Sequence, residues 1–304
     1  MTNTGLLIYD LLKGTHVRKT MRFLRDSQYW SLEEMEGLQR EKLARLLDHV
    51  QKEVPFFRLP VTGYRLPDNG TIERFDDWPI LDRQIAMEAG DSLLSDNINL
   101  KKCKVSRTGG TTGPPLRLYR DTETRSWALA AYYRFYEWMG IEPGMPEVEL
   151  WGSTRVENSK SVIPSEAEGQ NFPRPGACPE LVEGSLVPRA SIQNIKTESI
   201  NRINRFRNFN AFSFNDAYLA EVAMKLQKFR PALIRGYLSA ILLLADYIKR
   251  HNIKGIQPIA LSSTSETLFP EYRKMIEEIF QAPLFNQYGC GECNSIAFEC
   301  KEHN

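Results

Sequence analysis

From Asp216 to Gly289, helical and strand periods alternate without a break, and that alternation restricts the fold more than any other feature. Leu219, Val222, Ala223 and Leu226 share one face of a helix that starts near Asp216 and stops before Pro231. Ala232-Leu233-Ile234-Arg235 then reads as a short strand, followed by Gly236-Tyr237. Leu238, Ile241, Leu242, Ala245 and Ile248 give a second helical face. Ile259-Ala260-Leu261-Ser262 reads as a strand. Pro270 opens a helix carrying Tyr272, Met275, Ile276, Ile279 and Phe280, and Pro283-Leu284-Phe285-Asn286 reads as a strand ending at Gln287-Tyr288-Gly289. Strands that alternate with helices in this way are buried between them, so the fold class is α/β.

Upstream, the first sixty residues read as helical. Ser31-Leu32-Glu33-Glu34 is a capping box, in which a Ser hydroxyl and a Glu carboxylate satisfy the free N–H groups of a helix start. Met35, Leu38, Leu46, Leu47 and Val50 continue that helix until Glu53-Val54-Pro55. Leu116-Arg117-Leu118-Tyr119 alternates as a strand. Asp121 can cap the next helix, which carries Trp127, Ala131, Phe135 and Trp138 and stops at Gly140. Val148-Glu149-Leu150-Trp151 is another strand candidate.

Residues 160–190 differ in texture: Pro, Gly, Ser and Glu without a period, as in an inserted surface loop. Within them Cys178-Pro179-Glu180-Leu181-Val182-Glu183-Gly184 resembles the translated product of a palindromic repeat scattered through some bacterial genomes.

Composition excludes several functions. With 39 basic and 38 acidic residues the net charge is +1, which offers no electrostatic excess for nucleic acid or an anionic membrane. The longest apolar runs, such as Ile241–Ala245, fall far short of a bilayer span. Five cysteines, an odd number unevenly spread, suit a reducing cytoplasm better than a disulfide framework.

The chemistry concentrates in SRTGGTTGPP, residues 106–115. Glycines admit positive φ and close backbone approach, so a loop of this kind can wrap its N–H groups around phosphate oxygens, and threonine hydroxyls add donors. It is neither a Walker A loop nor a dinucleotide fingerprint, since Gly-Lys-Ser/Thr and G-x-G-x-x-G are both missing.

The order of motifs resembles the adenylate-forming superfamily, in particular its phenylacetate–CoA ligase branch and the related capsular polysaccharide biosynthesis proteins. Thr108-Gly109-Gly110-Thr111-Thr112-Gly113-Pro114-Pro115 matches the phosphate loop T-S-G-S/T-T-G-x-P. Arg235-Gly236-Tyr237-Leu238-Ser239-Ala240-Ile241 matches R-G-Y-P-S-A-L. Thr264-Ser265-Glu266-Thr267-Leu268 matches the adenine-contacting segment, and Tyr288-Gly289-Cys290-Gly291-Glu292 matches Y-G-x-x-E. Gly109 stands where the family usually has Ser, and Pro114 where many members carry Lys or another residue.

The resemblance implies the large N-terminal domain of an adenylate-forming enzyme: mixed β-sheets layered with helices, behind a helical lead over 1–95. It implies that a carboxylate attacks the α-phosphate of ATP to give an acyl-adenylate and pyrophosphate. Residues 108 to 113 (Thr108, Gly109, Gly110, Thr111, Thr112, Gly113) would hold the β- and γ-phosphates, and Glu292 would bind Mg²⁺. Ser265, Glu266, Tyr288 and Gly289 would frame the adenine; Trp151, Arg235, Gly236 and Tyr237 would line the acyl pocket; coenzyme A is the implied acceptor.

Family members continue well past Y-G-x-x-E, whereas this sequence is given to Asn304. The expectation is therefore an incomplete adenylation domain over 1–304 with its C-terminal domain absent, and the rival reading is a non-catalytic remnant or nucleotide-binding module. Cys290, Cys293, Cys300 and His303 also follow a C-x2-C-x6-C-x2-H zinc spacing. Some relatives hold a zinc through a cysteine equivalent to Cys300 and residues further on, so Cys300 is expected to supply at most part of a zinc site here. A zinc-stabilised interaction module is the more distant rival.

Overall fold

A computed structural model describes residues 3–58, 80–107, 116–142, 144–152, 205–293 and 295–303. The phosphate-loop residues 108–113 and the expected insert at 160–190 lie outside the described residues.

The chain opens with helices α1 (Asn3–Lys13), α2 (Val17–Ser27), α3 (Leu32–Glu53) and α4 (Pro55–Arg58), followed later by α5 (Arg83–Ala89). The capping box forms: the Ser31 hydroxyl accepts from the Glu34 N–H, and Glu34 accepts from the Ser31 N–H at 2.7 Å. Strands β1 (Lys104–Arg107) and β2 (Arg117–Arg120) pair antiparallel as a two-stranded sheet. Asp121 caps α6 (Thr122–Trp138), accepting from the Thr124 N–H at 2.7 Å.

The second sheet holds β3 (Glu147–Trp151), β4 (Phe206–Asn210), β5 (Leu233–Tyr237), β6 (Ala260–Thr264), β7 (Leu284–Tyr288) and β8 (Ala297–Phe298), in the order β4-β3-β5-β6-β7-β8. The first five are parallel and β8 runs antiparallel to β7. Between them lie α7 (Asp216–Phe229), α8 (Leu238–Arg250) and α9 (Pro270–Phe280). All residues of β5 and β6 are buried, as expected of parallel strands covered on both faces.

Period-2 alternation sorts the sheet into two faces. Val148, Leu150, Ile234, Leu261 and Leu284 pack against α7, α8 and α9 in one core. Leu233, Ala260 and Phe285 pack against α6, α2 and Leu6 of α1 in another. The result is a helix–sheet–helix layering.

Three differences from the sequence reading have physical causes. Gly236 and Tyr237 lie inside β5 rather than after it, because the strands approach too closely for any side chain at Gly236: a Cβ there would overlap the Leu150 carbonyl oxygen. Leu244 rather than Leu242 completes the buried stripe of α8, and Leu242 is only partly buried. β4, with the sequence FRNFN, has no hydrophobic alternation to announce it; it sits at the sheet edge, where its polar residues remain partly exposed.

Candidate nucleotide and acyl site

The strand order points to the carboxyl ends of β3 and β5. β4 lies on one side of β3 and β5 on the other, so the chain changes direction across β3, and ligands of open parallel sheets bind at the carboxyl ends of strands where the order reverses. Those ends carry Trp151 on β3 and Tyr237 on β5, stacked with ring centroids 4.8 Å apart and planes at 24°. Phe212, just past β4, lies 6.5 Å from Tyr237 in a parallel arrangement. Gly152 gives it room, since a Cβ there would overlap the Phe212 ring. An aromatic wall therefore stands at the switch point, and Trp151 and Tyr237 are two of the residues expected in the acyl pocket.

Arg235 sits one layer deeper. It is 6 % exposed and ion-paired to both Glu147 and Glu149 of β3. The Tyr136 hydroxyl donates to Glu147 at 3.0 Å, and Asn208 donates to Glu149 at 3.1 Å. Burial raises the Glu147 carboxyl pKa, with Arg235 opposing the shift. Burial acts to lower the Arg235 guanidinium, but Glu149, Tyr136 and Glu147 outweigh it and hold its pKa above the ordinary value. Arg235 thus locks β5 to β3.

The next strand end is strained. Ser265, directly after β6, has φ 70, a left-handed conformation that a non-glycine residue adopts at a cost. Its neighbour Glu266 turns inward and accepts from both the N–H and the hydroxyl of Ser239, each at 2.7 Å. Ser239 lies in the first turn of α8, whose N-cap Tyr237 has no capping side chain of its own. A carboxylate there satisfies an orphan N–H and meets the positive end of the helix dipole. Two motifs that are 27 residues apart are joined by this pair of bonds.

Arg120 joins the first motif to the last. The described ends of the Gly/Thr segment are paired, Arg107 opposite Arg117, so residues 108–116 connect the two strands of a β-hairpin. Arg120, at the far end of β2, is buried and donates to the Ser106 hydroxyl at 2.6 Å and to the Gly291 carbonyl. Desolvation lowers its pKa, and the nearby Glu292 carboxylate opposes that shift. Tyr288 ends β7 with its side chain 65 % exposed, Gly289 follows, and Glu292 is exposed on the turn beyond. Gln287 donates to the Tyr132 hydroxyl at 2.9 Å, tying β7 to α6.

Among the described residues, no group of three or more His, Cys, Asp or Glu converges as metal donors. Mg²⁺ nonetheless fits Glu292, because this ion is commonly held by one or two carboxylates together with substrate phosphates and water. Cys300, the expected partial zinc ligand, is partly buried, and its sulfur lies 3.4 Å from the Glu302 N–H. His303 is taken up by Arg273 at 3.1 Å and by the Phe285 ring at 4.8 Å.

Sequence reasoning did not single out Arg120 or Glu147, and it gave Ser239 only as a member of the motif that starts at Arg235. Glu147 and Glu149 in an otherwise apolar strand, with Arg235 in another, were a legible signal of a buried ion network. Nothing in the sequence pointed Arg120 at a carbonyl 171 residues away.

No protein-family profile matches the chain. It is 24 % identical over 267 residues to Protein CapK of Staphylococcus aureus, an alignment that covers 87 % of this chain and 52 % of that one. The open conformation of 2-hydroxyisobutyryl-CoA ligase in complex with 2-HIB-AMP and CoA superposes with a TM-score of 0.61 at 16 % identity, covering 90 % of this chain and 58 % of that one. The same ligase in its postadenylation state with 2-HIB-AMP gives 0.59 at 15 % identity, over 90 % and 52 %. The chain thus spans about half the length of the relatives it matches. Across that span it has the fold of the adenylate-forming acyl-CoA ligases, and its sequence is similar to that of CapK.

Proposed function

We propose that this chain carries the nucleotide- and acyl-binding part of an acyl-adenylate-forming ligase. In this reading a substrate carboxylate oxygen attacks the α-phosphorus of ATP, the bond to pyrophosphate breaks, and the acyl group is later passed to an acceptor such as coenzyme A. Residues 108–113 hold the β- and γ-phosphates, whose charge a Mg²⁺ on Glu292 would neutralise. Ser265, Glu266, Tyr288 and Gly289 border the adenine. Trp151, Gly236 and Tyr237 form the acyl wall, and Arg235 holds their strands together through Glu147 and Glu149. Similarity to CapK extends the proposal to an acyl group used in capsule polysaccharide assembly.

The observation that supports this reading most is the bond from Arg120 to the Gly291 carbonyl. One guanidinium thus holds Ser106, two residues before Thr108, and the Gly291 carbonyl, next to Glu292, which supports a phosphate loop and a magnesium carboxylate acting on one triphosphate. The protein's work in such chemistry is positioning and charge stabilisation.

The test is isotope exchange. The chain is incubated with Mg·ATP, labelled pyrophosphate and a panel of aryl and short-chain carboxylic acids. Label should return to ATP only when a suitable acid is present, and Glu292→Ala should abolish the exchange. Mg·ATP binding without exchange for any acid would leave a nucleotide-binding module in place of a ligase.

A further inference from the structure

The turn between β7 and β8 carries two thiols that the proposed reaction does not use. Cys290 and Cys293 are both exposed and free. The Cys290 N–H donates to the Cys293 carbonyl at 2.9 Å, and the Cys293 N–H lies 3.3 Å from the Cys290 sulfur. Bond lengths on either side of the first contact keep the two α-carbons within roughly 7 Å, and a disulfide spans α-carbons up to about that distance. The Cys290 sulfur is already turned toward its partner's main chain. Gly291, one of the two residues between them, gives the turn freedom to close.

Those two residues matter to the site. The Gly291 carbonyl accepts from Arg120, and Glu292 is the exposed carboxylate beside it. A covalent bond from Cys290 to Cys293 would close a small ring around both. It would fix the direction of that carbonyl and of the Glu292 backbone.

We propose that Cys290 and Cys293 form a reversible disulfide, a redox-controlled modification site that resets the turn bearing Glu292. Its effect on nucleotide binding rests on the function proposed above; the disulfide itself does not.

The oxidant is a small-molecule disulfide. One cysteine, as its thiolate, attacks a sulfur of that molecule; the oxidant's S–S bond breaks and one small thiol leaves. The second cysteine attacks the protein-bound sulfur of the mixed disulfide. The Cys290–Cys293 bond forms and the second small thiol leaves. Two electrons pass from the protein pair to the oxidant, and the two thiol protons end on the released small thiols.

The experiment equilibrates the chain with graded ratios of oxidised to reduced glutathione, alkylates the remaining thiols and maps the peptides by mass. The expected product is a linkage between Cys290 and Cys293, lighter by two hydrogens and reversed by dithiothreitol. Cys290→Ser and Cys293→Ser should each give a glutathione adduct on the remaining thiol instead. Calorimetric titration with Mg·ATP should show affinity falling by about tenfold or more on oxidation, and Cys290→Ser/Cys293→Ser should be blind to the oxidant.

Pairing with Cys103, Cys178 or Cys300, pairing between chains, or separate stable adducts on the two cysteines would overturn the proposal. So would stoichiometric zinc on these thiols in the purified chain. A disulfide that leaves Mg·ATP affinity unchanged would overturn the switch. If neither redox form binds Mg·ATP while the disulfide forms as expected, the function proposed above fails and the modification site stands.

Discussion

Arg120 concentrates the site's electrostatics in one side chain. It is buried, it joins Ser106 to Gly291, and it lies within reach of the Glu292 charge. Hydrogen bonds to charged groups contribute roughly 1.5–3 kcal/mol, so Arg120→Ala should weaken Mg·ATP binding by about ten- to a hundredfold. Calorimetry measures this, with far-ultraviolet circular dichroism checking that the fold is kept. Gly236 makes a second demand at the same scale. Because a Cβ would meet main chain and not a flexible side chain, Gly236→Ala should cost about 1–3 kcal/mol or more, read as a lower urea midpoint. The Gly, Ser and Glu of the four motifs were all legible in the sequence, because each motif has a local order. Arg120 was not, because its partner is distant in sequence and its own neighbours form an ordinary amphipathic strand.

Among the elements, β3 and β5 and the start of α8 hold the site's geometry. Burial raises the Glu147 carboxyl pKa, so the native state holds that proton more tightly than the unfolded chain does. The sign follows from linkage: the stability assignable to Glu147 is present below the ordinary carboxylate range and is lost as the pH rises through its raised value. Glu147→Gln should therefore flatten the fall in urea midpoint as the pH rises above the ordinary carboxylate range. Arg235→Met leaves two carboxylates buried without their cation, and it should destabilise the chain by about 3–5 kcal/mol, the usual cost of breaking a buried pair. Glu266→Ala removes the bonds to Ser239 and should cost about 1 kcal/mol, with faster amide exchange confined to the first turn of α8. The helices were readable because their apolar faces are periodic, with caps at Ser31 and Asp121 and a first-turn proline at Pro270. β1, β4 and β8 were not, since short edge strands such as FRNFN bury too little for an alternation to show.

At the scale of the molecule, the alternation from Asp216 to Gly289 was enough to give an α/β fold, and the parallel sheet follows from it. The order of strands was not readable, because β4 had no signal and only the pairing of β3 with both β4 and β5 reveals where the sheet reverses. That reversal brings Trp151 and Tyr237 together at the carboxyl edge of the sheet, and Arg120 brings the β1–β2 hairpin to the turn after β7. The central claim is that these parts form one magnesium-nucleotide site. Hydrogen exchange with and without Mg·ATP tests it most directly. The account predicts that amides of Lys104–Arg120 and of Leu284–Cys293 slow together when Mg·ATP is added, and that Arg120→Ala removes protection from both segments at once. Protection confined to one of the two segments, or found only in helices far from the sheet's carboxyl edge, would contradict it.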